Sequence, residues 1–586
     1  MKYDDLVEHL GEFGPYQRKI YLLTCLPVLS AAIQTLLPVF TLATPDHRCS
    51  IPELTNDTYT TQNAGHLALQ NHTLWRGGGD VSNPWGSGQC HNIVNRSATD
   101  PDALKGNFPF SNKTEKCNRW VYDTSTFDST FVTQINIVCD AKSLRSHANM
   151  IYMAGVLVGS FVFGLVSDKI GRKKAILMSL VFHSVAAICT AFSANFPVFA
   201  FLRFVTGLGD VGLFMCCFVL AMELVGRKWR AQAGVAVQYF WCAGMFVLVG
   251  MAYGIRDWKV LQIVPSCCTL VIFLLWWFIP ESPRWLLSKG REEEARAILE
   301  KIATANRKEL PKYIFDSEGE SQAKGTLMDV FSHPVLAFRA VIIFINWLVV
   351  TVVYYGLTFN IGTLSGDIYV NFALNASVET LGNVAAFLVL PRWGRKRFHC
   401  FAVLLSGLAC LCSMIPVLLG TTDAWVNILL SNVGKFGATG GFATMFVYSA
   451  ELYPTSLRNS VVGTSSMVAR VGGMISPYIA DLGILLGGQF GAAVPFIVFG
   501  TCGVLAGLLT LFLPETLNQT LPETVQEAID FGRIRITKVT EIAAPEENGD
   551  SRSIGRSAIS NRVHGLNKVS TTNQGYLNTT FLVEKL

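Results

Sequence analysis

Residues 159–174 read GSFVFGLVSDKIGRKK, an apolar run with spaced glycines that ends in an acid and a cluster of basic residues. Gly159 and Gly164 permit close contact between membrane helices, and the tight turn that follows carries Asp168 and Arg172. A second basic turn, GRKR at 394–397, also follows an apolar run. The pattern indicates a helical unit that occurs twice in the chain.

Two further pairs of motifs repeat in the same order. ELVGRKWR at 223–230 matches ELYPTSLR at 451–458, and PESP at 280–283 matches PETL at 514–517. An internal repeat of this length predicts six helices plus six helices in parallel. This is the layout of carriers that rock two bundles about a central site.

The composition is that of a membrane protein. Of 586 residues, 51% are hydrophobic and only 15% are charged, and the mean hydropathy is +0.37. Apolar runs of about 20 residues, each long enough to cross a bilayer core of ~30 Å, recur along the whole chain. We predict an all-α polytopic membrane protein with twelve transmembrane helices in two six-helix pseudo-repeats. The runs are 20–43, 147–167, 175–194, 198–224, 233–253, 260–279, 337–358, 368–390, 398–419, 425–450, 461–487 and 491–513.

Basic residues in the short loops predict the orientation. The loops after even-numbered helices carry many Lys and Arg, whereas the short odd loops carry only Arg256 and Lys259. By the positive-inside rule both termini are cytoplasmic, and we expect a multi-pass protein of the plasma membrane. The net charge of +5 reflects this sidedness and predicts no nucleic-acid partner. The predicted parts are an N-terminus (1–19), a first bundle (20–279) with an outer loop (44–146), a linker (280–336), a second bundle (337–513) and a tail (514–586).

The outer loop has the features of an extracellular segment. Four Asn-x-Ser/Thr motifs predict glycosylation at Asn56, Asn71, Asn95 and Asn112. Its four cysteines permit two disulfides in three possible pairings, between which the sequence does not choose. They are Cys49, Cys90, Cys117 and Cys139.

Charged residues at the turns suggest gating. An acid ends one helix and a base begins the next at Glu223 and Arg230, and again at Glu451 and Arg458, so each turn is expected to bring its pair together. We interpret these residues as latches between the cytoplasmic ends of the two bundles. Asp168, Arg172 and Arg395 belong to the same set, and the latch is asymmetric because Pro391 occupies the position of Asp168 in the second half.

Several charged residues fall within the apolar runs, where each costs at least ~2.5 to 3.5 kcal/mol on insertion scales and needs a partner or a function. Arg203 and Asp210 lie two helical turns apart on one face and suit structural ion pairs with other helices, with substrate contact as the alternative. Lys435 can neutralise a neighbouring acid or contact substrate, and Asp481 can reach the outer interface or contact substrate. Glu379 and Arg470 are treated below.

The motifs resemble those of a known family. GLVSDKIGRKK is similar to the signature of the major facilitator superfamily, and PESPRWL with AELYPTSLRN resembles its organic ion transporter branch. SGDIYVNF, VGKFGATGGF and SSMVARVGGMISPY are most similar to the organic cation and carnitine transporters, and the resemblance covers about residues 10–530. It implies movement of small organic cations, zwitterions or anions by alternating access.

The resemblance also implies a substrate site. Glu379 matches an acid of the cation and carnitine transporters, and Arg470 matches a position that is basic in the anion and carnitine branches and acidic in the strict cation branch. A carboxylate and a guanidinium suit a substrate with both charges, because one attracts an ammonium and the other binds a carboxylate in bidentate fashion. The alternative is a permanent salt bridge between Glu379 and Arg470.

Aromatic residues of the predicted helices offer π faces for an ammonium group. Phe218 and Tyr354 match aromatic positions of the family's cation pocket, and Gln238 matches a polar one. The other aromatic residues are usually packing or interface anchors when taken singly. They are Phe214, Trp241, Trp347 and Tyr355.

We therefore expect a carrier of small organic cations or zwitterions of the carnitine or β-alanine kind. One alternative is an organic anion exchanger in which Arg470 and Lys435 dominate; another is a receptor that uses the outer loop. An enzyme is disfavoured because the sequence has no Walker loop, HExxH or GxSxG motif and no convincing metal-ligand cluster. No cofactor is expected, and coupling to Na⁺ or H⁺ is left open. The final residues, VEKL, suit either a scaffold-domain ligand or an unstructured end.

Overall fold

The structure is a computed structural model that describes residues 3–51, 54, 56–73, 89–93, 114–311, 327–364, 366–420, 424–519, 522 and 524–531. The predicted tail beyond residue 531, with its terminal VEKL, lies outside the described residues. All elements named below belong to one compact unit.

The first half of the chain forms six long helical segments with smaller elements before and between them. The helices are α1 (Tyr3–His9), α2 (Pro15–Leu36), α3 (Pro38–Thr41), α4 (Ala64–Thr73), α5 (Phe131–Ile135), α6 (Ser143–Ile170), α7 (Arg172–Thr190), α8 (Phe196–Leu224), α9 (Arg227–Gly254) and α10 (Trp258–Val271). A 3₁₀ segment, Ile272–Trp277, continues α10.

The second half repeats this arrangement after three short linker helices. These are α11 (Pro283–Ser288), α12 (Glu292–Asn306) and α13 (Leu327–Phe331). The long helices are α14 (Pro334–Phe359), α15 (Ile368–Trp393), α16 (Arg395–Leu419), α17 (Ala424–Glu451), α18 (Thr455–Leu486) and α19 (Gly488–Thr510), followed by α20 (Val525–Asp530).

The prediction of an all-α polytopic protein is confirmed. Each of the twelve predicted apolar runs falls on a helical segment, and among the described residues nine helices are long and apolar enough to cross a membrane. Helices α10, α17 and α18 are not in this group; α10, with 14 residues, is shorter than its nine members.

The repeated motifs meet in space. Gly171 and Gly394 adopt positive φ values of 105° and 93°, which places a sharp bend between α6 and α7 and between α15 and α16. Glu281 of PESP accepts hydrogen bonds from the backbone N–H groups of Arg172 and Lys173, and Glu515 of PETL accepts from those of Arg395 and Lys396. A carboxylate at a helix N-terminus satisfies free N–H groups and complements the helix dipole. The first and third motif of each repeat therefore form one capped turn. We call this end of the helices the turn end.

Small residues bring α6 and α8 into backbone contact. A Cβ atom on Gly155 would lie 2.1 Å from the carbonyl oxygen of Phe204, and one on Gly207 would lie 2.3 Å from that of Tyr152. Close approach of backbones through glycine is a principal source of helix association in membranes. The contact between α6 and α8 fixes the position of Tyr152 beside the charged residues of α8.

The outer loop packs at the opposite end, which we call the loop end. Strand β1 (His47–Cys49) pairs with β4 (Trp120–Tyr122), and β2 (His91–Ile93) pairs with β3 (Thr114–Lys116). Disulfides join Cys49 to Cys117 and Cys90 to Cys139. Asn56 is exposed; Asn71 lies in α4, and Asn95 and Asn112 fall outside the described residues.

A buried ion pair stabilises the start of this loop. Arg48 Nη1 donates to Asp57 Oδ2 at 2.8 Å, and both side chains are almost fully buried. Burial raises the pKa of Asp57, but hydrogen bonds from Arg48 and the N–H of Ile51 outweigh it and hold the pKa below its ordinary value. The carboxylate therefore remains charged, as an ion pair in this position requires.

Candidate functional site

A cavity lies between the two halves of the chain at mid-depth. Its volume, including the part open to solvent, is about 740 Å³. Both halves contribute to its wall, which is mostly apolar and aromatic with a few charged groups. The lining residues are Thr35, Tyr152, Met153, Val156, Asp210, Val211, Phe214, Gln238, Trp241, Tyr354, Tyr355, Glu379, Asn383, Thr439, Phe442, Phe446 and Arg470.

Glu379 on α15 lies in this wall, and its partner is Lys435 of α17. The Lys435 Nζ lies 3.0 Å from Glu379 Oε2, and both side chains are almost completely buried. Tyr354 OH donates to Glu379 Oε1 at 2.5 Å. Lys435 also donates to Thr358 Oγ1 at 2.7 Å and lies 3.3 Å from the centre of the Tyr354 ring. The carboxylate is thus neutralised from within its own half.

Arg470 on α18 lines the same cavity and is not within ion-pair distance of any described acid. In the part of the chain that the structure describes, its guanidinium makes no ion pair, and its Nε has no hydrogen-bond partner. The permanent Glu379–Arg470 salt bridge considered from the sequence is therefore not formed here. Lys435 lies on α17, which packs against α15, and it forms the ion pair with Glu379 that this alternative assigned to Arg470.

The aromatic residues divide into two groups. Trp241, Phe214 and Tyr354 line the cavity, and Trp241 Nε1 donates to Tyr354 OH at 3.2 Å across the two halves. Trp347 and Phe218 lie behind the wall: Trp347 is buried against Phe446 with ring centres 4.7 Å apart, and Phe218 stacks on Phe214 at 6.4 Å. The cavity lining includes Gln238 but not Lys435.

Sequence reasoning missed several lining residues. Phe442 stacks on Tyr354 at 5.4 Å, and Phe446 lies one helical turn beyond it on the same face of α17. Their spacing of four residues was a readable signal. Asn383 on α15 was less visible; its Nδ2 donates to Cys242 Sγ across the halves at 3.5 Å.

A second buried charge cluster lies in the first half. Asp210 on α8 accepts hydrogen bonds from Tyr152 OH at 2.8 Å and from Thr35 Oγ1 at 3.1 Å. The guanidinium of Arg203 lies over the Tyr152 ring, 4.4 Å from its centre. Among the residues that the structure places, Arg203 forms no ion pair, so the structural ion pair with another helix that the sequence suggested for it is absent, whereas Asp210 lies 3.3 Å from His183 of α7.

The two halves make contact at the loop end. Ser146 on α6 donates to Asp481 on α18, so Asp481 joins the halves rather than merely reaching the interface. Tyr369 on α15 packs against Phe40 of α3 at 5.7 Å and against Tyr253 of α9 at 5.6 Å. These contacts close the cavity toward the outer loop.

The charges at the turn end pair within each half. Arg172 Nη2 lies 3.1 Å from Glu223 and Nη1 lies 3.0 Å from Asp168. Arg395 Nη2 lies 2.9 Å from Glu451. The predicted ion pairs Glu223–Arg230 and Glu451–Arg458 are not formed. Arg230 donates to the backbone carbonyls of Met222 and Val225, and Arg458 donates to that of Tyr453. Between described residues of the two halves there is no ion pair at this end, so the predicted latch is not formed in this conformation.

Three comparisons with known proteins agree with this architecture. Residues 97–528 match the family described as sugar (and other) transporters. The organic cation transporter protein of Drosophila melanogaster is 37% identical, with 91% of this chain and 95% of the relative covered. The organic cation/carnitine transporter 2 of Homo sapiens is 33% identical over 94% of this chain and 98% of that protein.

Among solved structures, the xylose transporter XylE from E. coli in a partially occluded inward open conformation has a TM-score of 0.58 and 16% identity. It covers 86% of this chain and 100% of its own chain, and this likeness speaks for the fold alone. The family and the curated relatives are transporters rather than enzymes. The family match and the identity with these relatives show that the chain belongs to the sugar (and other) transporter family, in the group that includes the organic cation and carnitine transporters.

Proposed function

We propose that the chain carries a small organic cation or zwitterion, of the carnitine or β-alanine kind, across the plasma membrane by alternating access. Both termini would lie in the cytoplasm, since the basic turns Gly171–Lys174 and Gly394–Arg397 then face inward. The observation that carries the proposal is that, of two charged residues in one aromatic cavity, one has an ion-pair partner and the other has none among the residues described. Glu379 is balanced by Lys435, whereas Arg470 has no ion-pair partner among the residues described.

Arg470 is the proposed carboxylate-binding group. A guanidinium in a largely apolar wall is costly without an anion, and a substrate carboxylate would supply two parallel hydrogen bonds to it. Because Arg470 makes no ion pair with a described residue, a substrate does not have to break such a pair to bind.

The ammonium group is assigned to the aromatic part of the wall near Glu379. Trp241, Tyr354 and Phe442 present ring surfaces there, and ring faces attract cations by ~0.5 to 2 kcal/mol. Lys435 already lies over the Tyr354 ring, which indicates that this environment stabilises an ammonium ion. A substrate ammonium would share Glu379 with Lys435.

Alternating access requires that one end be closed while the other opens. The Ser146–Asp481 and Tyr369–Tyr253 contacts close the loop end. In the proposed cycle these contacts separate, and the charges of the turn end then come together across the two halves. The gating role of Arg172, Glu223, Arg395 and Glu451 therefore remains part of this proposal.

An organic anion exchanger remains the second candidate. The charged groups in or beside the cavity are the acids Asp210 and Glu379 and the bases Arg203, Lys435 and Arg470, so the bases outnumber the acids. A wall with excess positive charge favours anions. A simple carboxylate would then be transported without any ammonium group.

Uptake by cells that express Arg470→Gln tests the proposal. The probes are L-carnitine as a zwitterion, tetraethylammonium as a cation and benzoate as an anion. Loss of a charge-assisted hydrogen bond is worth ~1.5 to 3 kcal/mol, so carnitine uptake should fall roughly tenfold to hundredfold while tetraethylammonium uptake persists. Carnitine uptake that survives the substitution would remove Arg470 from the site, and transport of benzoate alone by the unsubstituted chain would favour the exchanger.

A further inference from the structure

Asp210 is a carboxylate in the cavity wall that the proposed substrate contacts do not use. Its Oδ2 accepts both of its hydrogen bonds, from Tyr152 OH and Thr35 Oγ1. Its Oδ1 receives no hydrogen bond from any described group, although the atom is buried. One oxygen is thus held firmly while the other has an open coordination position.

His183 on α7 lies next to this open oxygen. Its Nδ1 is 3.3 Å from Asp210 Oδ1, without hydrogen-bond geometry, and its side chain is completely buried. Neither ring nitrogen meets full hydrogen-bond geometry with a described group, although the backbone of Thr206 on α8 lies close enough to the ring to interact with it. By contrast, the buried His399 of the second half forms a hydrogen bond between its Nε2 and Asn346 Oδ1 at 3.0 Å. His183 is therefore a titratable group placed against a carboxylate oxygen that receives no hydrogen bond from the described groups.

We propose that Asp210 and His183 form a proton-binding site through which proton movement is coupled to substrate transport. The proposal rests on the proposed function, because it names the coupling ion of the same cavity. A proton bound between Asp210 Oδ1 and His183 Nδ1 would supply the hydrogen bond that both atoms lack. Small rotations of either side chain suffice, given their 3.3 Å separation.

The groups around Asp210 define how a proton would act. Thr35 on α2 and Tyr152 on α6 donate hydrogen bonds, and Arg203 on α8 contributes positive charge over the Tyr152 ring. From the other half, Arg470 on α18 and Tyr355 on α14 line the same cavity. The electrostatic potential at Asp210 thus has a positive contribution from one arginine of each half.

Coupling follows from the position of Arg470. When Asp210 is ionised, its negative charge competes with a substrate carboxylate for the positive potential of Arg470. When Asp210 takes up a proton from water on the open side, this competition ends and the substrate carboxylate binds Arg470 more strongly. The proton returns to water when the cavity opens to the other side. Substrate and proton therefore travel in the same direction, as in symport.

The test uses the full-length protein in sealed liposomes without sodium, with radiolabelled L-carnitine as the probe. Counterflow at equal pH measures transport alone, and uptake with the outside more acidic by about one pH unit measures coupling. One proton per substrate can drive up to about tenfold accumulation under that gradient. We expect the accumulation in the unsubstituted protein, and in Asp210→Asn we expect the ratio of gradient-driven to gradient-free uptake to fall to one.

A matched control has the same chemical change at a carboxylate outside the cavity. Asp257 caps the N-terminus of α10, and Asn is an equally good cap, so Asp257→Asn should retain the response to the gradient. His183→Gln should shift the pH at which gradient-driven uptake is half-maximal. An unchanged pH profile in His183→Gln or an undiminished response in Asp210→Asn would overturn the proposal. In a parallel set of liposomes with sodium outside and no pH gradient, accumulation that the pH gradient alone does not produce would also overturn it.

If carnitine counterflow fails, the result counts against the proposed substrate rather than against the proton site. Proton binding is then measured directly on the purified protein, without a transport assay. Purified protein in detergent is acidified while the infrared carbonyl band of protonated carboxyl groups is recorded. The band should gain a component in the unsubstituted protein and in Asp257→Asn that Asp210→Asn lacks. Identical titrations in all three proteins would refute the proton site whatever the substrate is.

Discussion

Each half of the chain places a buried carboxylate, a tyrosine and a cation together, but the two sets are completed differently. In the second half, Lys435 lies over the Tyr354 ring at 3.3 Å and also forms an ion pair with Glu379. In the first half, Arg203 lies over the Tyr152 ring at 4.4 Å, while Asp210 relies on two hydroxyl groups and a nearby histidine. The second set is a closed ion pair, and the first leaves one carboxylate oxygen open.

The difference indicates separate tasks for the two halves. A closed pair between Glu379 and Lys435 keeps a charged group in the membrane at a tolerable cost, and it leaves the aromatic wall to attract a substrate cation. An open carboxylate such as Asp210 is suited to exchange a proton. Variants that remove one charge at a time separate these tasks.

The largest effect is expected for Lys435→Met. Removal of Lys435 leaves the Glu379 carboxylate buried without an ion-pair partner, which costs roughly 3 to 5 kcal/mol. Arg203→Met removes a cation over a ring and should cost at most ~2 kcal/mol. The free energy of unfolding of the purified proteins, measured by denaturant titration in mixed micelles, compares the two.

The double variant Lys435→Met with Glu379→Gln is the control for this comparison. It removes both charges of the pair, so most of the lost free energy of unfolding should return. If Arg203→Met destabilised the protein as much as Lys435→Met does, the two halves would be paired equally tightly and the comparison would fail.

A smaller effect, on transport, is expected for Glu379→Gln. Gln retains an oxygen that can accept from Tyr354 OH but has no charge to attract an ammonium group. Uptake of L-carnitine per molecule at the cell surface should therefore fall roughly tenfold to hundredfold. Surface biotinylation provides the normalisation, because the unpaired Lys435 also lowers the surface level.

The double variant serves here as well. Restored surface level without restored uptake would mean that the Glu379 charge acts on the substrate. Uptake at the level of the unsubstituted protein would mean that Glu379 serves only to neutralise Lys435.

The sequence predicted the helices and the motif pairs because these depend on local composition and on repeated residues. Apolar runs of membrane length are read directly, and GRKK with GRKR marked the two turns correctly. The contact of Glu281 with the first turn was not foreseen, since PESP lies more than a hundred residues away along the chain.

The partners within the site were harder to predict for a physical reason. Glu379, Lys435 and Arg470 lie on three different helices, and the rotation of each helix about its own axis decides which side chains meet. That rotation is set by packing of the whole bundle rather than by residue spacing. Spacing did succeed within one helix, where Arg203 and Asp210 share a face, but it did not reveal the Tyr152 ring beneath Arg203.

The smallest effect is expected where the two halves are most alike, at the capped turns. Gly171 and Gly394 have positive φ values, and a Cβ atom on either would lie 2.4 Å from a carboxylate oxygen of Glu281 or Glu515. Alanine at either position should cost ~1 to 3 kcal/mol, because the left-handed backbone is strained and the cap must move. Thermal unfolding in detergent should show similar losses for Gly171→Ala and Gly394→Ala. Gly164→Ala on α6 is the control. The close helix contact predicted at Gly164 from the sequence was wrong, because a Cβ added there meets nothing within 4 Å, and alanine favours the helix. Unequal losses at the two turns would show that the repeat has diverged there too, as it has at Asp210 and Glu379.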